Sequence, residues 1–293
     1  MISKLKKILK KGLKAPLLFL KRLNARGALN RLTSHENPDL RAIGIALQES
    51  LANTLSSQEE HTISLIEKRR SFLLNSDKEI AIVDYGAGSS NSKRTKEEME
   101  KGVTSTALVS KIATASKTKF WAIILFKIIR KLKPSSCVEL GSCVGISASY
   151  QAAALNMNGK GTIITLEGSD EIAEIAKETF LDLGIENASV VTGPFHETLD
   201  DVCVKSKPID FFFNDGHHDH DAVIRYFKQV MPYLSDTAVI VFDDISWSSG
   251  MREAWAEIEK EKHVAASIDL HNVGITLINK KAPSAKEKFK ISL

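Results

Sequence analysis

Cys137-Val138-Glu139-Leu140-Gly141-Ser142-Cys143-Val144-Gly145-Ile146-Ser147 decides how this chain is read. An apolar run ends in an acid and a glycine-bearing turn, and residues 148–155 continue with the composition of a helix. Strand, tight loop and helix follow in that order. Glycine lets the backbone turn sharply and approach a ligand closely, while the first free N–H groups of the next helix form an anion-friendly rim. Such a loop suits a nucleotide-like cofactor. Its spacing is Gly-x-x-x-Gly, without the Gly-x-Gly-x-x-Gly of dinucleotide sites, and a glycine turn after a strand is often only a turn.

The neighbouring strands sharpen the reading. A second strand, 162–166, ends in Glu167-Gly168, with the acid 28 positions beyond Glu139. An acid so placed can accept hydrogen bonds from both hydroxyls of a ribose, although a strand end can equally be a solvated charge. Gly193 closes a third strand (189–192), and Asp215 closes a fourth (209–214). Four successive strands therefore end in small or acidic residues, and open α/β sheets bind ligands outside those carboxyl ends.

Taken as an ordered set, Glu139-Leu140-Gly141-Ser142 with Gly145 and Ser147, then Glu167, Gly193, Asp215-Gly216-His217-His218 and Asp243-Asp244, resembles the class I S-adenosylmethionine (SAM) dependent methyltransferases. The similarity is greatest to the small O-methyltransferases of the catechol and caffeoyl-CoA type, over about residues 111–279. It implies an α/β fold, a Rossmann-like seven-stranded sheet with helices on both faces, here preceded by an N-terminal helical extension. It also implies roles. Glu139 would meet the amino group of the methionine moiety, Ser147 its carboxylate and Glu167 the ribose. Gly141, Ser142, Gly145, Gly168, Gly193, Asp215 and His217 would complete the cofactor site, and residues 112–116 would fold over its methionine end.

Chemistry concentrates in Asn214-Asp215-Gly216-His217-His218-Asp219-His220-Asp221 and Phe242-Asp243-Asp244-Ile245-Ser246-Trp247, each just after a strand. Carboxylates from two such loops can present oxygen ligands to Mg²⁺ or another divalent cation, whereas imidazoles favour a softer metal. In the metal-dependent enzymes of this type the positions of Asp215, Asp243 and Asp244 are ligands. This chain departs from them with Asp at 244 and with His218 where catechol-type enzymes carry a lysine. His218 is the candidate general base, because imidazole titrates near neutrality, and Asp215 is its catalytic companion. His217 is expected beside the cofactor, His220 as a solvated ring, and Trp247 as a substrate wall or a packing residue.

The chain has 293 residues and 43% apolar content, enough for one large domain or a domain with an extension. It divides into a basic helical extension (1–78), a cover segment and first helix (79–134), the SAM-binding core (135–280) and a charged tail (281–293) expected to fray. Three cysteines are too few for a disulfide framework, which suggests reduced thiols and a cytoplasmic location. Residues 1–33 hold ten Lys or Arg and no acid, leaving 30 bases against 36 acids elsewhere. Leucines interleave with these charges at partly helical spacing, so 1–33 is a candidate for peripheral contact with the inner membrane face, against the plainer reading of a packed, solvated helix. Pro16 interrupts the pattern, no apolar run reaches the ~20 residues of a span, and the lysines argue against a cleaved signal. Nucleic acid is not expected as a partner, since aromatic interleaving is absent.

Residues 39–74 show two amphipathic helical patterns after Asn37-Pro38, 79–84 alternates like an edge strand, and 120–132 is an apolar helix ending before Pro134. Asp84-Tyr85-Gly86-Ala87-Gly88-Ser89-Ser90 mimics a cofactor loop but lacks a following strand and ribose acid, so it reads as a turn within a cover. The reading that results is SAM-dependent O-methylation of a small-molecule hydroxyl, with a divalent cation as a candidate assistant. Its rivals are a noncatalytic SAM-binding or membrane-associated scaffold, which needs neither Asp215 nor His218, and a nicotinamide oxidoreductase, which calls for a denser glycine fingerprint.

Overall fold

The computed structural model describes residues 25–86, 88–89, 92–281, 286–291 and 293. Phe211, Phe212 and Phe213 are all buried, as are Val138, Leu140 and the run 238–242. Stretches buried on both faces lose the alternation of a surface strand, and here they form the parallel interior of a sheet.

In chain order the strands are β1 (Glu79–Asp84), β2 (Gly88–Ser89), β3 (Ser92–Lys93), β4 (Val103–Leu108), β5 (Ser136–Leu140), β6 (Thr162–Glu167), β7 (Ala188–Thr192), β8 (Ile209–Asn214), β9 (Leu234–Phe242), β10 (Val264–Asp269), β11 (Gly274–Asn279) and β12 (Glu287–Lys290). β5 to β12 make an eight-stranded sheet in the order β12-β10-β11-β9-β8-β5-β6-β7. β7, β6, β5, β8 and β9 run parallel, and β11 is antiparallel to both β9 and β10. The strand order reverses at β5, which pairs with β6 on one side and β8 on the other, so the site-bearing loops open at a topological switch point.

One face of the sheet is covered by Lys119–Leu132, Ile146–Met157 and Asp170–Asp182, the other by Phe195–Ser206, His220–Val230 and Ser249–Ile258. The helical N-terminal part is continuous with the first of these cores. Asn37 caps Pro38–Leu51, and a reciprocal Ser56–Glu59 capping box starts Ser57–Leu74. Residues 25–33 are helical and end in the buried Leu32, against which Gly44 packs so closely that a Cβ there would lie 2.6 Å from the Leu32 carbonyl carbon. A cut after residue 33 would thus remove part of the core. The membrane expectation rests mainly on residues 1–24, which lie outside the described residues.

Two expectations are corrected. The tail does not fray over 287–290: β12 adds to β10 in parallel and buries Phe289, giving one strand more than the seven expected. Residues 103–108, for which the sequence suggested no strand within the cover segment, form β4 and pair antiparallel with β1 into a small separate sheet. Among the described residues, no helix is long and apolar enough to cross a membrane.

Candidate functional site

Backbone hydrogen bonds carry the sheet past its last strand residues and hold three loops side by side. Gly141 and Ser142 donate their N–H groups to the Leu166 carbonyl, Asp215 donates to Leu140, and Asp243 donates to Asn214. Gly141 has φ +92°, and a Cβ on it would sit 2.9 Å from the Asp215 carbonyl oxygen. No other residue fits where these two loops meet. Beyond them opens a cavity of about 630 Å³ whose walls include Gly141, Glu167, Asp215, His218 and Asp243. That volume suits a small-molecule site.

At one end of the cavity stands Glu167, whose carboxylate accepts from the N–H of Cys143 at 2.9 Å and of Ser169 at 3.2 Å. Burial pushes its pKa up to about 7 against the pull of these backbone donors. Gly168 also lines the cavity and lies under Tyr85, where a Cβ would come within 2.7 Å of the ring. Cys143, in the left-handed region at φ +46°, lines the same end, and burial pushes its thiol up to about 12. It is therefore a packing thiol, and Cys137 and Cys203 are likewise free and buried.

Glu139 is placed differently from expectation. It is fully buried, with oxygens accepting from Gln151 Nε2 at 2.8 Å and Thr165 Oγ1 at 2.6 Å. Burial raises its pKa to about 8, while hydrogen bonds from Thr165, Ser147 and Gln151 act the other way. Ser147 thus turns toward Glu139, and Ser142 pairs with Thr165 at 2.7 Å. Glu139, Ser142, Gly145, Ser147 and Gly193 lie outside the cavity wall and form the frame beneath it. Glu139 and Ser147 bond to one another there, beneath the cavity rather than in its wall.

The other end gathers the reactive groups. Asp215 and Asp243 face each other across the loops with side chains 14% and 3% exposed, and Lys117 lies between them. Its Nζ is 3.3 Å from Asp215 Oδ1 and donates to Asp243 Oδ2. His218 Nε2 is 3.7 Å from Asp215 Oδ1 and 3.7 Å from Asp244 Oδ2, without a hydrogen-bond partner. One ligand atom from each of Asp215, His218 and Asp243 lies within 4.8 Å of the others, so His218 stands where Asp244 was expected as the third member. Asp244 has φ +50°, is 44% exposed and turns to His218. The trio expected as ligands was Asp215, Asp243 and Asp244, whereas the groups the structure brings within ligand distance of one another are Asp215, His218 and Asp243. As the side chains stand, the Lys117 ammonium lies between the two acids and contacts both, on the position a shared divalent ion would take.

His217 lines the cavity as a buried ring whose pKa is lowered by burial, leaving Nδ1 unpartnered. Asp219 caps the helix His220–Val230, and His220 pairs with Asp221 and Glu257, so both have local structural roles. Trp247 is half exposed with its ring centroid 6.0 Å from that of His218. The segment 94–101 closes the remaining side. Arg94 binds Asp84, and Lys96 reaches Asp221 at 2.8 Å.

Residues 112–116 were expected near the cofactor, and Ile112 and Ala115 do line the cavity. Lys117, one position further on, was missed. Its only sequence signal is a lysine in a small-residue loop before an apolar helix, and the sheet alone shows that this loop faces the ends of β8 and β9.

The comparisons bear on the region just described. Residues 138–245 match the family model described as a methyltransferase domain. No curated protein matches the chain in sequence. An O-methyltransferase from Bacillus cereus, solved in complex with SAH, superposes with a TM-score of 0.55 at 16% identity, over 83% of this chain and 100% of that one. An SAH-bound methyltransferase from Podospora anserina gives a TM-score of 0.50 at 19% identity, over 58% of this chain and 82% of that one. At these identities the superpositions speak to the fold, and the matched range holds the loops after β5, β6, β8 and β9 that line the cavity, while Tyr85, the segment 94–101 and Lys117 come from outside it. The chain therefore contains a methyltransferase domain, built in the fold of the class I SAM-dependent O-methyltransferases that its sequence resembles.

Proposed function

We propose that this protein transfers the methyl group of SAM to a hydroxyl oxygen of a small molecule. The observation that carries the reading is a single cavity at the switch point with an isolated acid, Glu167, at one end and the Asp215–Lys117–Asp243–His218 cluster at the other. Glu167 suits the ribose hydroxyls, since its two oxygens, with about four acceptor sites between them, keep capacity beyond the backbone N–H groups of Cys143, Gly168 and Ser169. Gly168 and Tyr85 form the adjoining wall for the nucleoside, and the buried, neutral His217 offers its free Nδ1 there. The two aspartates and Trp247 frame the acceptor side.

The transfer balances as one displacement. A lone pair on the acceptor oxygen forms the new C–O bond as the C–S bond of the sulfonium breaks, its electron pair going to sulfur to give SAH. The hydroxyl proton passes to His218 Nε2, which makes no hydrogen bond of its own and has the Asp215 and Asp244 carboxylates 3.7 Å away to favour the charged ring. The protein contributes mainly alignment and proton removal, and a positioned base supplies about 10²- to 10⁴-fold. The Lys117 ammonium supplies the positive charge between the two acids.

Purified protein given methyl-labelled SAM and a panel of small hydroxyl compounds should release label as an O-methyl ether. Label found on nitrogen or carbon acceptors instead would contradict the oxygen chemistry. SAM that binds while no acceptor class is labelled would favour the scaffold reading.

A further inference from the structure

We propose that Lys117 is the resident cation of this site, standing in the place that a divalent ion takes between two such acids and keeping that ion out. The inference rests on the methyltransferase reading only for what the cation does during transfer. Its placement stands on geometry alone.

Two carboxylates brought together inside a protein repel, and each resists ionisation unless a positive charge compensates them. Here the charge comes from the chain. The Lys117 side chain is 12% exposed and contacts both Asp215 and Asp243, while its flexible stem rises from the loop between Val109–Ala113 and Lys119–Leu132. His218 is the third ligating group within reach, so Asp215, His218 and Asp243 would offer a metal two oxygens and a nitrogen were the ammonium withdrawn. Asp244, which would strengthen such a site, turns to His218 and solvent. An ammonium differs from a metal ion in what it gives a substrate. It offers N–H donors to an acceptor oxygen and to the two acids together, but no inner-sphere coordination. Methyl transfer at this site is then independent of added metal, with Lys117 holding the acceptor oxygen that His218 deprotonates.

Mn²⁺ titration of the full-length protein, followed by electron paramagnetic resonance, tests this directly. The wild-type protein should leave added Mn²⁺ free, whereas Lys117→Met should take up Mn²⁺ with affinity raised at least about tenfold, a shift of ~1.4 kcal/mol. Adding Asp243→Asn to Lys117→Met should abolish that uptake. The proposal is overturned if wild type binds Mn²⁺ and loses it on Asp243→Asn, a result that holds whether or not Lys117→Met folds. It is equally overturned if a folded Lys117→Met protein, checked by circular dichroism, takes up none. Calorimetry with SAM on the same samples separates the two levels of the argument. SAM binding without the Mn²⁺ pattern removes the role of Lys117 and leaves the methyltransferase reading standing, and the Mn²⁺ pattern without SAM binding does the reverse.

Discussion

At the scale of single residues, the cavity combines acids with different duties. Glu139 sits in the frame, and its pKa is raised to about 8 from an ordinary 4.5, chiefly by burial. A group whose folded value lies above its unfolded one stabilises the fold fully below the unfolded pKa, and that contribution fades as pH rises through the folded one. Glu139 therefore makes the ligand-free protein progressively less stable from about pH 4.5 to about pH 8. Glu139→Gln keeps an acceptor for Gln151 and should flatten this slope, raising the melting temperature at pH 8 by roughly 2–4 °C for each kcal/mol recovered. Thermal melts of both proteins between pH 5 and 8 check it, and parallel slopes would refute it. The strand-end positions of Glu139, Glu167 and Asp215 were legible because an apolar run fixes where a strand stops. Their orientations were not. Thr165, Ser147 and Gln151, which turn Glu139 inward, come from β6 and the next helix, and that convergence exists only once the chain is folded.

At the scale of elements, the helix Lys119–Leu132 shows how apolar patterning both reveals and conceals. Its eight buried residues include Lys127, which an apolar stripe would have assigned to the surface. Lys127 Nζ binds Glu59 at 2.8 Å and Glu49 at 3.1 Å, tying this helix to Ser57–Leu74 and Pro38–Leu51. Burial alone would raise the Glu59 pKa, but Lys127 and the Ser56 N–H hold it below its ordinary value. Removing one partner of a buried pair costs about 3–5 kcal/mol when the other charge is left uncompensated. Here Arg130 remains 3.5 Å from Glu59 and Lys131 stays on Glu49, so Lys127→Met should lose less, about 1.5–3 kcal/mol for a charged hydrogen bond, in urea unfolding. A change under about 0.5 kcal/mol would show that the network carries no load. β12 escaped the sequence reading for a related reason. Charged Glu287, Lys288 and Lys290 alternate with a single buried Phe289, and exposed charge is how edge strands resist further pairing. In the sequence that pattern looks like a solvated tail.

At the scale of the whole molecule, the N-terminal helices, the sheet and the cover segment converge on one opening. The helices 38–51 and 57–74 share the hydrophobic core that backs Lys119–Leu132, whose N-terminal loop delivers Lys117 to the site. β1, β4 and the segment 94–101 lie over the Glu167 side through Tyr85 and the Lys96–Asp221 pair. The ordered acids and glycines of 137–244 were enough to read the fold, because parallel strands ending at a switch point leave few other topologies. The acceptor end was less legible, since its cation, Lys117, comes from a loop well before β5, which begins at Ser136. The central claim is that SAM binds in this cavity with its ribose on Glu167, and isothermal titration of SAM into wild type and Glu167→Ala tests it most directly. The account predicts one SAM per chain for wild type and an affinity about 10- to 150-fold weaker for a folded Glu167→Ala, the ~1.5–3 kcal/mol of a lost charge-assisted hydrogen bond. Equal affinities in the two proteins, or no binding by wild type, would contradict it.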